Sequence, residues 1–389
     1  MSPAASDAIL DLGVRELGRR LRSHEVSPVD LAEGYLARIS KLDPKLNAFV
    51  TVTRDLALEQ ARRAESELAS GRDRGPMHGI PYGAKDLLAT AGIRTTWGAS
   101  PYADRVFDYD AEVIRRMQEA GAVLLGKCAM IELAGGMGYD IPGASLTGAA
   151  RNPWNTDRWT CGSSSGPGAA VSGGLLPLAI GSETWGSIVC PSAFCGISGL
   201  RPTYGRVSRR GAMALSWTMD KLGPMARSAD DCEILLDAMA GPDPGDATCL
   251  TETMGPALSL SDASRLRVGV FRAKMPDGVD PAIPRAFDEA VEALRRAGLS
   301  PRDVTLPDLP VEEAAWVIVV AEGAAAFENL IDAGDDRKLA DPDAPLARGL
   351  SEIVRATDYL KASRVRTLAQ EAYAKLYSQY DAIVSLSLP

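Results

Sequence analysis

The chain of 389 residues is 46% apolar and 24% charged, the make-up of an ordinary globular protein with room for a large core. Its formal net charge of −9 argues against a nucleic-acid groove over the whole surface. Two histidines are too few to expect a zinc cluster, and six cysteines without a C-x-x-C pair read as reduced, buried thiols in a cytoplasmic protein.

The opening residues, MSPAASDAILDLG, carry no basic start followed by an apolar run, so no secretory signal is expected. Residues 7–22 set Ile9, Leu10, Leu17 and Leu21 near one helical face. Ser27, Pro28 and Asp30 then supply a cap, a first-turn proline and a first-turn acid for a helix carrying Leu31, Tyr35 and Ile39. A charged helix over 53–71 closes on Gly71, so the first 75 residues read as mostly helical. The character then changes. GIPYGAKDL (79–87) is a short strand-like run, residues 108–121 a helix ending at Gly121, and AVLLG (122–126) a buried strand. Residues 135–215 are rich in glycine and serine with weak helix patterns, yet hold much apolar content; they read as tightly packed core near a site. The run GAAVSGGLLPLAIG (168–181) is the most apolar, but its glycines and proline exclude a membrane span. From 229 onward helix and strand alternate: a helix at 229–241, a strand at 265–271, helices at 284–298, 312–330 and 351–380, and a closing strand at 381–387.

Residues 162–166 read G-S-S-S-G, which matches the G-x-S-x-G nucleophile elbow with Ser164 central. The elbow needs a histidine later in the chain, and both His24 and His78 come earlier. No G-K-[ST] follows, so a phosphate-binding loop is also unsupported. The remaining bases are lysine, carboxylate and α-amine. Lys85 ends an apolar run; buried, it would lose its charge and serve as a general base at neutral pH. From spacing alone a structural salt bridge is the simpler reading. Downstream, Ser187 follows Gly186 and opens an apolar run, either as a helix cap or as a hydroxyl beside free backbone N–H groups.

Four stretches together resemble the amidase signature family. GIPYGAKDL resembles its lysine motif. NPWNTDR (152–158) followed by CGSSSG resembles N-P-W-[DN]-x-x-R-x-x-G-G-S-S-G-G. GSETWGSIVCPSAFCGISGLRPTYGRVS (181–208) resembles the long signature, and LGPMARSADD (222–231) the segment after it. The resemblance implies an α/β fold in a single large domain, a mixed sheet covered by helices on both faces. Residues 1–75 would be a helical segment packed on a 76–389 core. It further implies Lys85 as base, Ser163 as relay serine after a cis peptide, and Ser187, 24 positions later, as nucleophile. Backbone N–H groups of Thr184, Trp185, Gly186 and Ser187 would hold an oxyanion, and Met137 would line the substrate pocket.

The implied reaction is hydrolysis of a small-molecule amide, carbamate, anilide or ester through an acyl-enzyme. The alternative is the glutamine-hydrolysing amidase subunit of a tRNA-dependent amidotransferase. No cofactor, metal, directly bound nucleic acid or membrane is implied, and a homodimer is left open. This sequence departs from the family at Glu183 (usually Asp), Trp185 (usually Gly) and Val189 (usually Arg), which suggests a rearranged surround for the nucleophile. Ser165 and Pro167 also replace small residues in the relay loop. The chain stops at SLSLP, where family members usually continue, so either this member is short or a pocket wall is missing from the sequence.

Overall fold

The computed structural model describes residues 6–136, 141–252, 255, 264–344, 349 and 353–387. The chain divides into two compact units, Met1–Met254 with Glu322–Glu352, and Gly255–Ala321 with Ile353–Pro389.

The first unit begins with helices α1 (Asp7–Leu10) and α2 (Val14–Arg22), which bury Leu10, Leu17 and Leu21 as their spacing predicts. The run breaks at Gly13. Helix α3 (Pro28–Leu46) starts with the cap read from sequence: Asp30 N–H donates to Ser27 Oγ at 3.0 Å, and Ser27 N–H returns to Asp30 Oδ2 at 3.3 Å. Between α3 and α4 (Arg54–Ala69) lies a strand that helical periodicity does not suggest, β1 (Phe49–Val52). Its four residues, FVTV, are β-branched or aromatic, and it edges the main sheet.

Strands β2 (Pro81–Lys85) and β3 (Val123–Cys128), with α5 (Glu112–Glu119) before β3, follow the expected alternation. The glycine-rich middle is more regular than its composition indicates. It holds a hairpin of β4 (Arg151–Asn152) and β5 (Asn155–Trp159), then α6 (Ser165–Ser172), β6 (Leu178–Glu183), α7 (Val189–Cys195) and β7 (Ser198–Gly199). Strand β8 (Lys221–Ala226) and helix α8 (Ala229–Met239) complete the succession.

The main sheet is mixed, in the order β1-β3-β2-β6-β8-β7. β2 runs parallel to both β3 and β6, while β1, β8 and β7 join antiparallel. A strand parallel to both neighbours is buried on both faces, which is why every residue of PYGAK is buried. Helices α3, α4, α6 and α8 pack on this sheet. The architecture is therefore the mixed α/β arrangement that the sequence implies. Clefts in such sheets lie beyond the carboxyl ends of parallel strands. Here the ends of β2 and β6 bring Lys85 and Ser182 side by side.

The second unit holds a small parallel sheet, β10-β9-β11, of β9 (Val268–Val270), β10 (Arg302–Asp303) and β11 (Ala382–Val384). Phe287 and Val291 of the helix Ala282–Arg296 pack with Val270 as its core. A helix also runs over Ala356–Tyr377, and the helix Val311–Ala326 belongs to this unit as far as Ala321. Among the described residues no helix is long and apolar enough to cross a membrane.

Candidate active site

Lys85 is the last residue of β2 and has no solvent exposure. Its Nζ lies 2.7 Å from Ser163 Oγ, 3.0 Å from Ser164 Oγ and 2.9 Å from Ser182 Oγ, with Ser182 C=O at 3.4 Å. Burial pushes the amine down to about 7, partly offset by the charges of Asp220 and Glu183. Among the described residues Lys85 forms no salt bridge of the kind favoured by spacing: the acid next in sequence, Asp86, pairs with a second buried lysine, Lys127, at 3.3 Å. Lys127 also donates to Leu88 C=O and Thr95 Oγ1. Lys85 is thus surrounded by hydroxyls. A neutral amine has two N–H donors and one lone pair, so it can donate to two of these oxygens and accept from the third.

Ser163 follows a cis peptide bond from Gly162. Its C=O accepts from Ile131 N–H at 3.1 Å, which fixes the turn against the end of β3. Ser164, the centre of the elbow-like motif, is held as a strut instead. Its Oγ donates to Ser182 C=O at 3.1 Å and accepts from Ser182 N–H at 3.3 Å. Neither histidine enters the site; His78 Nδ1 accepts from Arg74 N–H far back on the fold.

Ser187 stands between β6 and α7. The relay and nucleophile segments are joined by Ser164 N–H donating to Ser187 C=O at 3.2 Å. Among the described residues the Ser187 hydroxyl makes no hydrogen bond, and the N–H groups of Thr184, Trp185, Gly186 and Ser187 carry no acceptor. Gly186 has a φ of +96°, the left-handed region that glycine occupies without penalty. Met137 lies outside the described residues.

Two of the three departures, Glu183 and Trp185, have a visible consequence. Glu183 is buried, and its Oε2 accepts from the N–H groups of Ile188 at 2.9 Å and Val189 at 3.0 Å. It thereby caps α7, with Arg201 at 3.3 Å from its other oxygen. The Val189 side chain has no part in that ion pair. The Trp185 indole is half exposed beside the turn.

Sequence reasoning missed three groups. Ser182 contacts Lys85 across neighbouring strands. Asp220 accepts from Thr184 Oγ1 at 2.5 Å and from the N–H groups of Leu215 and Ser216, and burial pushes its carboxyl up. Lys221 donates to Thr184 C=O at 3.0 Å, and burial pushes it down to about 8. The only prior signal was position: Ser182 lies inside the long signature, and Asp220 and Lys221 just before the segment that follows it. A cavity of about 360 Å³ adjoins this network; Ser182, Thr184, Met213, Leu215, Trp217 and Asp220 contribute to its wall. A mostly apolar wall with a few convergent polar groups is what a small-molecule site requires.

The reading of all six cysteines as reduced thiols is corrected for one pair. Cys161 and Cys190 form a disulfide, brought together by the turn before Ser163 and the first turn of α7 although 29 residues separate them. Cys128, Cys195 and Cys232 remain free and buried.

The family model described as Amidase matches residues 30–388. Among curated proteins, a glutamyl-tRNA(Gln) amidotransferase subunit from Methylococcus capsulatus is 38% identical, covering 96% of this chain and 81% of that protein. The protein of the same name from Azotobacter vinelandii is 37% identical, with 97% and 83% covered. Among solved structures, the native peptide amidase from Stenotrophomonas maltophilia superposes with a TM-score of 0.86 at 32% identity, over 96% of this chain and 83% of that one.

Proposed function

Because the chain belongs to the amidase family, we propose that it cleaves a carboxamide C–N bond through an acyl-enzyme on Ser187. The observation that carries the reading is a fully buried amine, pushed down to about 7 by burial and placed 2.7 Å from the Ser163 hydroxyl. The uncharged Nζ of Lys85 accepts the Ser163 proton while Ser163 Oγ takes the proton of Ser187. Ser187 Oγ then attacks the carbonyl carbon. Backbone N–H groups of residues 184–187 receive the charge that develops on oxygen; removing one such donor typically costs about 10²–10³ in rate. The proton returns along the same path to the leaving nitrogen, and water releases the acyl group. Catalytic hydrogen bonds are often long in an empty site and tighten around substrate, so the relay closes when substrate packs against Ser187.

For the substrate, the relatives at 38% and 37% identity support glutamine hydrolysis for a tRNA-dependent amidotransferase. In that reading a partner protein receives the ammonia. A second reading, a free amidase acting on a larger amide, is supported by the half-exposed Trp185 beside the oxyanion turn and by the peptide amidase fold match. Both share the acyl-enzyme. The test assays the purified chain, alone and as the complex recovered from its own cells, with glutamine, a fatty amide, an aryl amide and an aryl carbamate. Turnover of glutamine only, and only in the complex, supports the first reading; turnover of an aryl or fatty amide by the chain alone supports the second. Failure of a fluorophosphonate to acylate Ser187, read by mass spectrometry, removes both.

A further inference from the structure

We propose that the Cys161–Cys190 disulfide is a positioning element that clamps the relay loop to the helix following the nucleophile, so that a dithiol reductant turns the enzyme down. The inference rests on the reading of Ser163 as relay and Ser187 as nucleophile.

The two cysteines occupy the segments that carry those serines. Cys161 immediately precedes Gly162 and the turn into Ser163, while Cys190 lies in the first turn of α7, three residues beyond Ser187. The covalent bond therefore joins the two segments between which the proton must pass. Beside it runs the hydrogen bond from Ser164 N–H to Ser187 C=O at 3.2 Å. That bond fixes backbone to backbone on the Ser164 side of the turn, and Ser163 C=O is itself held by Ile131 N–H at 3.1 Å. The disulfide holds the opposite end of the turn, the Cys161 side, so that Ser163 is tied to the nucleophile segment from both sides.

Local conformation points the same way. Cys161 has a φ of +62°, the left-handed region that favours glycine and penalises a residue with a Cβ. A side chain kept there against the preference of its own backbone has a use, and its covalent bond to Cys190 supplies one. The remaining buried thiols have no comparable placement. Cys128, Cys195 and Cys232 lie in the core and their thiols are pushed up by burial, which leaves them unreactive.

Reduction breaks the S–S bond and leaves an S–H on each of Cys161 and Cys190. The two electrons and two protons come from the dithiol, which closes into its own cyclic disulfide. Both cysteines are buried, so attack by a small dithiol is slow.

The experiment uses the full chain purified without reductant. Non-reducing digestion and mass spectrometry locate the 161–190 cross-link. The rate of Ser187 acylation by a fluorophosphonate, and kcat and KM on whichever amide is turned over, are measured before and after dithiothreitol and in the C161A/C190A variant. Reduction is expected to slow acylation and lower kcat by about tenfold or more, the scale expected for a misplaced reacting group, with KM held within about twofold. Reoxidation restores the rate, and the double variant is slow and blind to dithiothreitol. An acylation rate unchanged by reduction, or the absence of the cross-linked peptide, overturns the inference while leaving the amidase reading intact. Activity loss accompanied by lost near-ultraviolet dichroism, a sign of unfolding, also overturns it. No label on Ser187 in either redox state instead overturns the reading on which it rests.

Discussion

Lys85 shows how one residue can be chemically defined by its surroundings. A lysine at the end of an exposed strand would stay charged, whereas here burial lowers it to about 7, with three hydroxyls and one carbonyl as its hydrogen-bond partners among the described residues. Activity is therefore expected to rise as pH increases through about 7, and Lys85→Ala should lose most at neutral pH; a flat pH–rate profile from about 6 to 9 would contradict this. Stability carries the opposite signature of a burden. The folded-state value lies below the unfolded one of about 10.4, so the unfolded chain binds more protons between about 7 and 10. The cost is full below about 7 and fades as pH rises. Lys85→Met should accordingly stabilise the fold by up to about 4 kcal/mol at pH 6, less what the orphaned hydroxyls cost, and by little near pH 10. Urea titrations showing a gain that grows with pH would refute it. Trp185 offers a second test at this scale. Its N–H survives replacement by glycine, so Trp185→Gly should keep the acyl-enzyme while lowering kcat/KM for aryl amides relative to alkyl ones; an unchanged ratio means that the indole is no part of the pocket.

Among the elements, α6 shows why small residues crowd the relay loop. Gly166, in the first turn of α6, donates its N–H to Ala129 C=O at 2.9 Å. A Cβ there would come within 2.3 Å of Ala48 C=O and 2.4 Å of Ala129 N, both backbone atoms that cannot turn aside. Gly166→Ala should therefore cost about 1–3 kcal/mol or more, as overpacking does, seen as a lowered Tm, together with a lowered kcat as the turn shifts. A variant with wild-type Tm would show that α6 can move away. The sequence showed this region as packed core but not its individual elements, because glycine and serine weaken helix and strand signals alike. The glycines are there for close approach of backbones, which no local pattern reports. The same limit hid β1, a four-residue strand between two long helices, whose pairing with β3 comes from a distant part of the chain. By contrast, the Ser27–Asp30 capping box was legible because both partners lie within one turn.

In the first unit as a whole, the cavity wall depends on a residue far along the chain. Glu322 accepts from Ser216 Oγ at 2.5 Å, from Thr218 N–H at 3.0 Å and from Thr218 Oγ1 at 2.7 Å. It thereby holds the segment that carries Trp217 and leads to Asp220. Glu322→Ala should loosen that wall without touching the Lys85–Ser163 contact, raising KM several-fold more than it lowers kcat. Equal losses in both would place Glu322 in stability rather than in substrate positioning. By itself the sequence determined the α/β alternation and the helix caps and, through motif resemblance, singled out Lys85, Ser163 and Ser187 as candidates, because each of those signals is carried within a few neighbouring residues. Tertiary structure alone decided that Lys85 is buried among hydroxyls rather than paired with Asp86, that Ser182, Asp220 and Lys221 join the site, and that Cys161 meets Cys190. Each of those outcomes depends on which strands and turns lie side by side, and desolvation and proximity are properties of a packed interior that a linear order of residues does not contain.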